Sequence, residues 1–283
     1  MDGRARAPAA GTICNALATG RGSAFAIDGV ETTATVSLEP GTEIEGEIAE
    51  DPEADTALIE RCVSLAVERY DDESLGGLVR TESSIPMAAG LKSSSAAANA
   101  TVLATCDALG IEVDRTEACL LGVRAAREAG VTVTGAFDDA SASMLGGVTV
   151  TDNARDELLA HETVDWDVLV WTPEERAFSA EADVSACERI ATIAELVEEL
   201  ALAGRYGEAM TVNGLAFSAA LGFPTEPAIE ALPEAEGVSL SGTGPSVVAV
   251  GDRKALGGVR EQWEERTGTT WLTTTQTAGA RRG

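Results

Sequence analysis

Residues 86–99 read Pro86-Met-Ala-Ala-Gly-Leu-Lys-Ser-Ser-Ser-Ala-Ala-Ala-Asn99, a glycine turn running into a serine-rich, small-residue helix start. Backbone N–H groups at a helix N-terminus lack an intrahelical partner, and with the positive end of the helix dipole they favour an anion without any formal charge. Lys92 adds a formal charge beside them. The pattern predicts a phosphate cradle. It is not a Walker A loop, which needs a Gly directly before its Lys and another at the start of the motif; those positions hold Leu91 and Pro86. The plainer reading is a serine N-cap on an alanine-rich core helix, and the choice between the two falls to the rest of the chain.

The 283 residues carry 47 acidic and 20 basic side chains, a net charge of −27, with 45% apolar content. Enough apolar material is present for a substantial core, and the length suits two lobes of moderate size. Lys92 and Lys254 are the only lysines. An acidic excess of this size argues against nucleic acid or an anionic membrane as partner. Acidic disorder is excluded by hydrophobic periodicity through most of the chain, so the composition reads as adaptation to molar salt. The cysteines (Cys14, Cys62, Cys106, Cys119, Cys187) are scattered, odd in number and never spaced C-x-x-C, which predicts reduced core thiols. The first residues lack the apolar run of a signal peptide and no segment is apolar enough for a membrane span, so a soluble, cytoplasmic protein is expected.

Along the chain, residues 11–48 alternate Thr, Val and Ala and are broken by Gly22, Gly29 and Pro40-Gly41, a strand-rich opening with hairpin-like turns. Leu58, Ile59, Cys62, Val63, Ala66 and Val67 recur at helical spacing within residues 54–70. A strand over 78–85 leads into the Pro86 loop, and helices follow over 93–109 and 116–129. A strand at 148–151 precedes the polar run 151–162, taken as the boundary between lobes spanning 1–153 and 154–283. The second lobe reads as a strand at 166–171, helices at 186–203 and 205–221, strands at 237–240 and 246–250, a helix at 253–266 and a strand at 269–275. Strands and helices mixed without strict alternation predict an α+β fold.

His161 is the only histidine and lies in the polar run, so Ser-His-Asp or Cys-His nucleophilic chemistry is disfavoured and acid–base work falls to carboxylates. Asp138 and Asp139 follow a small-residue turn, Thr134-Gly-Ala-Phe137, and precede Ala140-Ser-Ala-Ser143. That uncharged setting can hold an aspartate away from bulk water. Phosphoryl transfer to an alcohol needs such a carboxylate to accept or orient the hydroxyl proton; the plainer reading is an acidic turn or helix cap. Ser239-Leu-Ser-Gly-Thr-Gly-Pro-Ser246 lies between two strand-like runs, where Gly242 and Gly244 permit close backbone approach and Thr243 offers a hydroxyl.

The loop at Pro86 resembles the Pro-x-x-x-Gly-Leu-x-Ser-Ser-x-Ala signature of the GHMP kinases, Asp138 resembles the aspartate of their Gly-x-x-Asp context, and 239–246 is similar to their C-terminal glycine loop. The run Ala9-Ala-Gly-Thr-Ile-Cys-Asn-Ala-Leu-Ala-Thr-Gly-Arg-Gly-Ser-Ala-Phe-Ala-Ile-Asp28, with Gly90-Leu-Lys-Ser-Ser-Ser-Ala96 and Thr134-Gly-Ala-Phe-Asp-Asp-Ala140, resembles the archaeal-type shikimate kinases of that superfamily. The resemblance implies a two-lobed fold, with a ribosomal-protein-S5-like N-terminal lobe and a ferredoxin-like C-terminal lobe, and ATP- and Mg²⁺-dependent phosphorylation of shikimate. It implies that ATP lies along Pro86, Met87, Ala88, Ala89, Gly90, Leu91, Lys92, Ser93, Ser94, Ser95 and Ala96. Mg²⁺ would sit at Ser94 and Glu128, Lys92 would stabilise the transferring charge, and Asp138 would attend the acceptor hydroxyl with Asp139 in reserve. Asn15, Thr19, the Gly20-Arg-Gly-Ser23 turn, Gly242 and Thr243 would line the acceptor pocket. A carboxylate-bearing acceptor calls for an arginine, and Arg4, Arg6, Arg21, Arg124 and Arg127 all stand open. Homoserine kinase-like activity, or a non-catalytic protein of the same fold, are the alternatives.

At about 1 M salt the screening length falls to about 3 Å, which relieves the self-repulsion of this surface. The thermal midpoint is therefore expected to rise steeply as KCl is raised from about 0.1 M to about 1 M, measured by circular dichroism; a salt-independent midpoint would contradict the reading.

Overall fold

The computed structural model describes residues 1–71, 74–132, 136–175 and 184–283. The alternating opening forms two long antiparallel strands, β1 (Asp2–Cys14) and β2 (Arg21–Pro40). Contrary to expectation, Gly22 and Gly29 do not break β2. The strand passes through both, and at Gly29 (φ +81°) residues 28–30 bulge, so that Glu31 faces Pro8 while Ile27 faces Ala9. Glycine adopts that backbone without the Cβ penalty.

After β3 (Ile44–Ile48), α1 (Ala57–Tyr70) crosses over to β4 (Leu75–Ser83), which pairs parallel with β3 and antiparallel with β2. The apolar stripe read at 58–67 is the buried face of α1. Then come α2 (Ser93–Ala108), α3 (Arg115–Glu128) and α4 (Phe137–Leu145), followed by β5 (Val148–Asp152) and β6 (Glu157–Glu162). The polar run 151–162, expected at the boundary between lobes, is thus a hairpin arm of the larger sheet: β5 pairs with β2, and β6 pairs with β5. Its polarity reflects an edge strand whose residues are largely exposed. The larger sheet therefore extends beyond the boundary expected at 153, and the final strand, β11 (Arg281–Arg282), returns to pair with β1.

A second sheet forms from β7 (Asp167–Thr172), β8 (Gly237–Leu240), β9 (Val247–Gly251) and β10 (Thr269–Thr274), in the order β10-β7-β9-β8. Between β7 and β8 run α5 (Ser185–Glu188), α6 (Ala191–Leu202), α7 (Tyr206–Leu221) and α8 (Glu226–Ala231), and α9 (Arg253–Glu264) joins β9 to β10. Strand periodicity of two partitions the core. Val168, Val170, Val248 and Val250 face the main core shared with the larger sheet, whereas Leu169, Trp171, Val247 and Ala249 pack with Leu256, Val259 and Trp263 of α9. Among the described residues no helix is long and apolar enough to cross a membrane, and the five cysteines are buried free thiols.

The element that positions the site is α2, buried on nearly every side. Small side chains make this burial attainable. A Cβ placed on Gly3 of β1 would fall 2.1 Å from the Ala104 carbonyl oxygen, and one on Gly122 of α3 would fall 3.3 Å from the Ala98 Cβ. Asn99 donates from Nδ2 to the Ala140 carbonyl at 2.8 Å, tying α2 to α4. Gly3→Ala overpacks this contact and is expected to cost about 1–3 kcal/mol, read as a lower denaturant midpoint; an unchanged midpoint would show that α2 can shift on the sheet.

Candidate active site

A cavity of about 530 Å³ opens at the start of α2. Its walls are the Pro86 loop, the end of β1 with residues 15–17, the first turn of α4, and the glycine loop at 242–243. Beyond the cradle it extends into a chamber whose apolar side chains include Ile48, Leu58, Ile59, Val123 and Val131, with Thr32, Thr81 and Ser83 at one edge.

The helix cap differs from expectation. The N-cap of α2 is Lys92, in left-handed conformation (φ +66°) and without a side-chain cap bond, while Ser93, Ser94 and Ser95 lie inside the first turn and line the cavity. The first-turn amides are therefore not consumed by a serine cap, as an anion site requires. Ala88 (φ +52°) and Ala136, the N-cap of α4 (φ +51°), are also left-handed and also line the cavity. Each such residue costs roughly 1–2 kcal/mol, and strain of this kind persists where surrounding structure holds a functional geometry.

Backbone contacts hold the two glycine loops together. Ser241 Oγ donates to the Gly90 carbonyl at 2.8 Å and the Ser246 amide to that of Ala89 at 3.2 Å. A Cβ on Gly90 (φ +80°) would sit 2.1 Å from the Ser241 oxygen, so only glycine fits there. The Gly242 amide donates to Thr12 Oγ1 at 2.8 Å, and Asn15 Nδ2 donates to the Gly242 carbonyl at 2.7 Å. Asn213 of α7 accepts the Asn15 amide at 2.8 Å.

Facing the cradle, Lys92 Nζ lies 2.8 Å from Asp139 Oδ1, with both side chains largely buried. Lys92 is the only cation lining the cavity among the described residues. Asp138 sits beside it, 4% exposed. Its Oδ1 accepts from Asn153 Nδ2 at 2.7 Å, its amide donates to Asn153 Oδ1 at 3.1 Å, and its side chain lies over Gly22, where a Cβ would come within 2.3 Å of Oδ2. Burial first, and the charge of Asp139 second, raise the Asp138 carboxyl from 3.8 to about 7, against the opposing pull of Lys92 and the Asn153 hydrogen bond. A group poised there can exchange a proton near neutral pH.

Of the residues singled out in the sequence, Met87, Ala88, Gly90, Lys92, Ser93, Ser94, Ser95, Asn15, Asp138, Asp139, Gly242 and Thr243 come together in this cavity. Pro86, Ala89, Leu91 and Ala96 do not line it; Ala89, Leu91 and Ala96 are core residues that brace the loop. Thr19 caps its own turn by accepting the Arg21 amide at 3.3 Å. Glu128 lies outside: Arg124 (2.8 Å) and Arg61 bind its carboxylate and hold it below the usual carboxylate range. None of the five arginines lines the cavity. Arg6 pairs with Glu31, Arg21 with Asp152 and Glu198, Arg124 with Glu128 and Arg127 with Asp156, while the Arg4 amide donates to Asp107. His161 is exposed on β6 and bonds the Gly146 carbonyl oxygen. Thr134 and Gly135 lie outside the described residues. Thr12 and Asn153 escaped the sequence reading, Thr12 as one more residue of an alternating strand and Asn153 as part of a polar run read as the boundary between lobes.

Residues 57–147 match the family model described as GHMP kinases N terminal domain. Over the full chain the sequence is 66% identical to a shikimate kinase from Halobacterium salinarum, covering 99% of both chains. It is 52% identical to one from Methanosarcina mazei, covering 93% of this chain and 90% of that one. Among solved structures it is similar to homoserine kinase from Cytophaga hutchinsonii (TM-score 0.75, 18% identity, covering 100% of this chain and 97% of that one). It is similar also to mevalonate kinase from Methanococcus jannaschii (TM-score 0.76, 15% identity, 97% and 98% covered). These structures share the two-lobed α+β fold.

A carboxyl raised by burial binds its proton more tightly folded than unfolded, so its contribution to stability is complete below about pH 4 and is lost as pH rises through about 7. Asp138→Asn removes that loss. Its melting midpoint is expected to exceed the wild-type value by a margin that widens between about pH 4 and about pH 8; a margin independent of pH would contradict the burial of an ionisable Asp138.

Proposed function

Because the chain belongs to the shikimate kinase family, built on the GHMP kinase fold, we propose that it transfers the γ-phosphoryl group of ATP to the 3-hydroxyl of shikimate. The observation that carries this reading is the placement of Asp138 and Lys92 at the open N-terminus of α2 in one cavity. The triphosphate lies on the first-turn amides and serine hydroxyls of α2, where the helix dipole favours its charge. The apolar chamber beyond takes the base. Thr12, Asn15, Gly242 and Thr243 border the acceptor end with hydroxyl, amide and backbone groups suited to a polyhydroxylated ring.

In the transfer, the acceptor oxygen forms a bond to the γ-phosphorus as the bond from that phosphorus to the β,γ-bridging oxygen breaks, releasing ADP. The hydroxyl proton passes to Asp138, whose position near neutrality suits a base at physiological pH. Lys92, held in place by Asp139, lies where negative charge accumulates on the transferring group. Mg²⁺ takes hard oxygen ligands and keeps most of its shell for phosphate and water; the Ser94 hydroxyl, which lines the cavity, fits the protein's small share, and the ion would neutralise phosphate charge. Glu128 has no part in it, being committed to two arginines outside the cavity.

A coupled ADP-release assay in about 1 M KCl, offering shikimate, homoserine and mevalonate separately, tests the reading. Turnover with shikimate alone is expected, and Asp138→Asn is expected to lower kcat by about 10²–10⁴ while retaining nucleotide binding. Turnover with homoserine in place of shikimate would reassign the acceptor, and an Asp138→Asn variant as fast as wild type would remove Asp138 from the chemistry.

A further inference from the structure

Asn153 follows β5 at the turn into β6 and is 2% exposed, an amide with no access to solvent beside a buried carboxyl. Its orientation is set by chemistry. Oδ1 accepts from the Asp138 backbone N–H at 3.1 Å and from Thr151 Oγ1 at 2.7 Å, so the Nδ2 end faces Asp138 Oδ1 at 2.7 Å as a donor. The turn that carries it is fastened from two sides. The Asn153 amide donates to the Gly20 carbonyl at 2.9 Å, and Arg127 of α3 donates to the Asn153 carbonyl at 3.1 Å while gripping Asp156 with both guanidinium ends. A side chain held so firmly imposes its geometry on its partner.

The geometry points to Asn153 as a positioning residue for phosphoryl transfer: its amide engages Oδ1 of Asp138 as a donor and fixes, over the bare Cα of Gly22, the carboxyl that receives the acceptor proton. This rests on the reading of Asp138 as the acceptor's carboxylate. A donor to one oxygen stabilises the ionised carboxylate and fixes its rotamer. Among the described residues the charged groups around Asp138 are few. Asp139 lies on its own helix, and Lys92 reaches it from the cap of α2. From β1 the Cys14 thiol approaches, itself pushed up by burial and by Asp138 and Glu198. Asp152 of β5 is held by Arg21 and Arg155, and Arg127 of α3 is turned to Asp156. Asn153 is thus a neutral side-chain donor that, with Lys92, opposes burial and Asp139.

The isosteric variant Asn153→Asp replaces donor by acceptor, and the experiment is the pH dependence of kcat/KM for shikimate, with nucleotide affinity measured separately using a fluorescent ATP analogue. The acidic limb is expected to move at least about one unit upward, so that activity at about pH 7 falls at least about fivefold and recovers with rising pH, while nucleotide affinity stays within about twofold of wild type. A loss of activity uniform across pH, or an unshifted limb, overturns the proposal. Thr151→Val, which removes the hydroxyl that orients the amide, provides a second measurement should Asn153→Asp not fold; a smaller upward shift supports the role and an unshifted limb overturns it. Asp138→Asn, assayed alongside, separates the two readings. If that variant turns over at the wild-type rate, the assignment of Asp138 itself fails; if it is inactive and the Asn153→Asp limb is unshifted, only the role of Asn153 fails.

Discussion

The buried ion pair between Lys92 and Asp139 is the contact on which the site depends. In a chain of net charge −27, a cavity meant for a polyanion must gain its positive potential locally, and Lys92 is the only lysine near it. Adjacent carboxylates at 138 and 139 without that ammonium would repel each other, and the pair would hold a shared proton more tightly than a base can use. With the ammonium 2.8 Å from Asp139, one carboxylate is committed to the pair and the other remains available. The division of labour between the two aspartates follows from which of them the lysine reaches.

That ion pair is possible because backbone is packed against backbone around it. Lys92 sits at the N-cap of a helix whose body is pressed onto β1 through Gly3 and Ala104, and a Cβ on Gly242 would come within 2.7 Å of its ammonium. Gly90 and Ser241 approach so closely that a methyl group would not fit. Small residues throughout α2 and the two loops therefore serve one purpose: they bring three separate chain segments within reach of one phosphate-sized volume. The left-handed backbones at Ala88, Lys92 and Ala136 are the local strain that this convergence imposes.

Much of the fold was legible in the sequence, since amphipathic periodicity and glycine turns are local properties. The stripe from Leu58 to Val67 gave α1, and Ser239–Ser246 between two apolar runs gave the β8–β9 connection. The failures share a cause. The polar residues 151–162 were read as a lobe boundary because an exposed edge strand and a linker have the same composition. Gly22 and Gly29 were read as breaks because a glycine needed for a bulge, or to make room for the Asp138 carboxyl, looks the same as one in a turn. Glu128 was assigned to a metal by resemblance, whereas Arg61 and Arg124 claim it on the outer face.

By itself the sequence determined the family, the glycine-serine helix start, the candidate carboxylates and the acidic, lysine-poor composition of the surface, because each is written in contiguous residues or in composition. Only the tertiary structure decided which aspartate is paired and which is buried beside an amide, that Lys92 and not a serine caps α2, and that Thr12, Asn15 and Asn153 brace the site. Those assignments depend on side chains far apart in the chain, Asn15 on Gly242 and Asp138 on Asn153. A low-dielectric cavity rewards such contacts only once the backbone has brought the partners together.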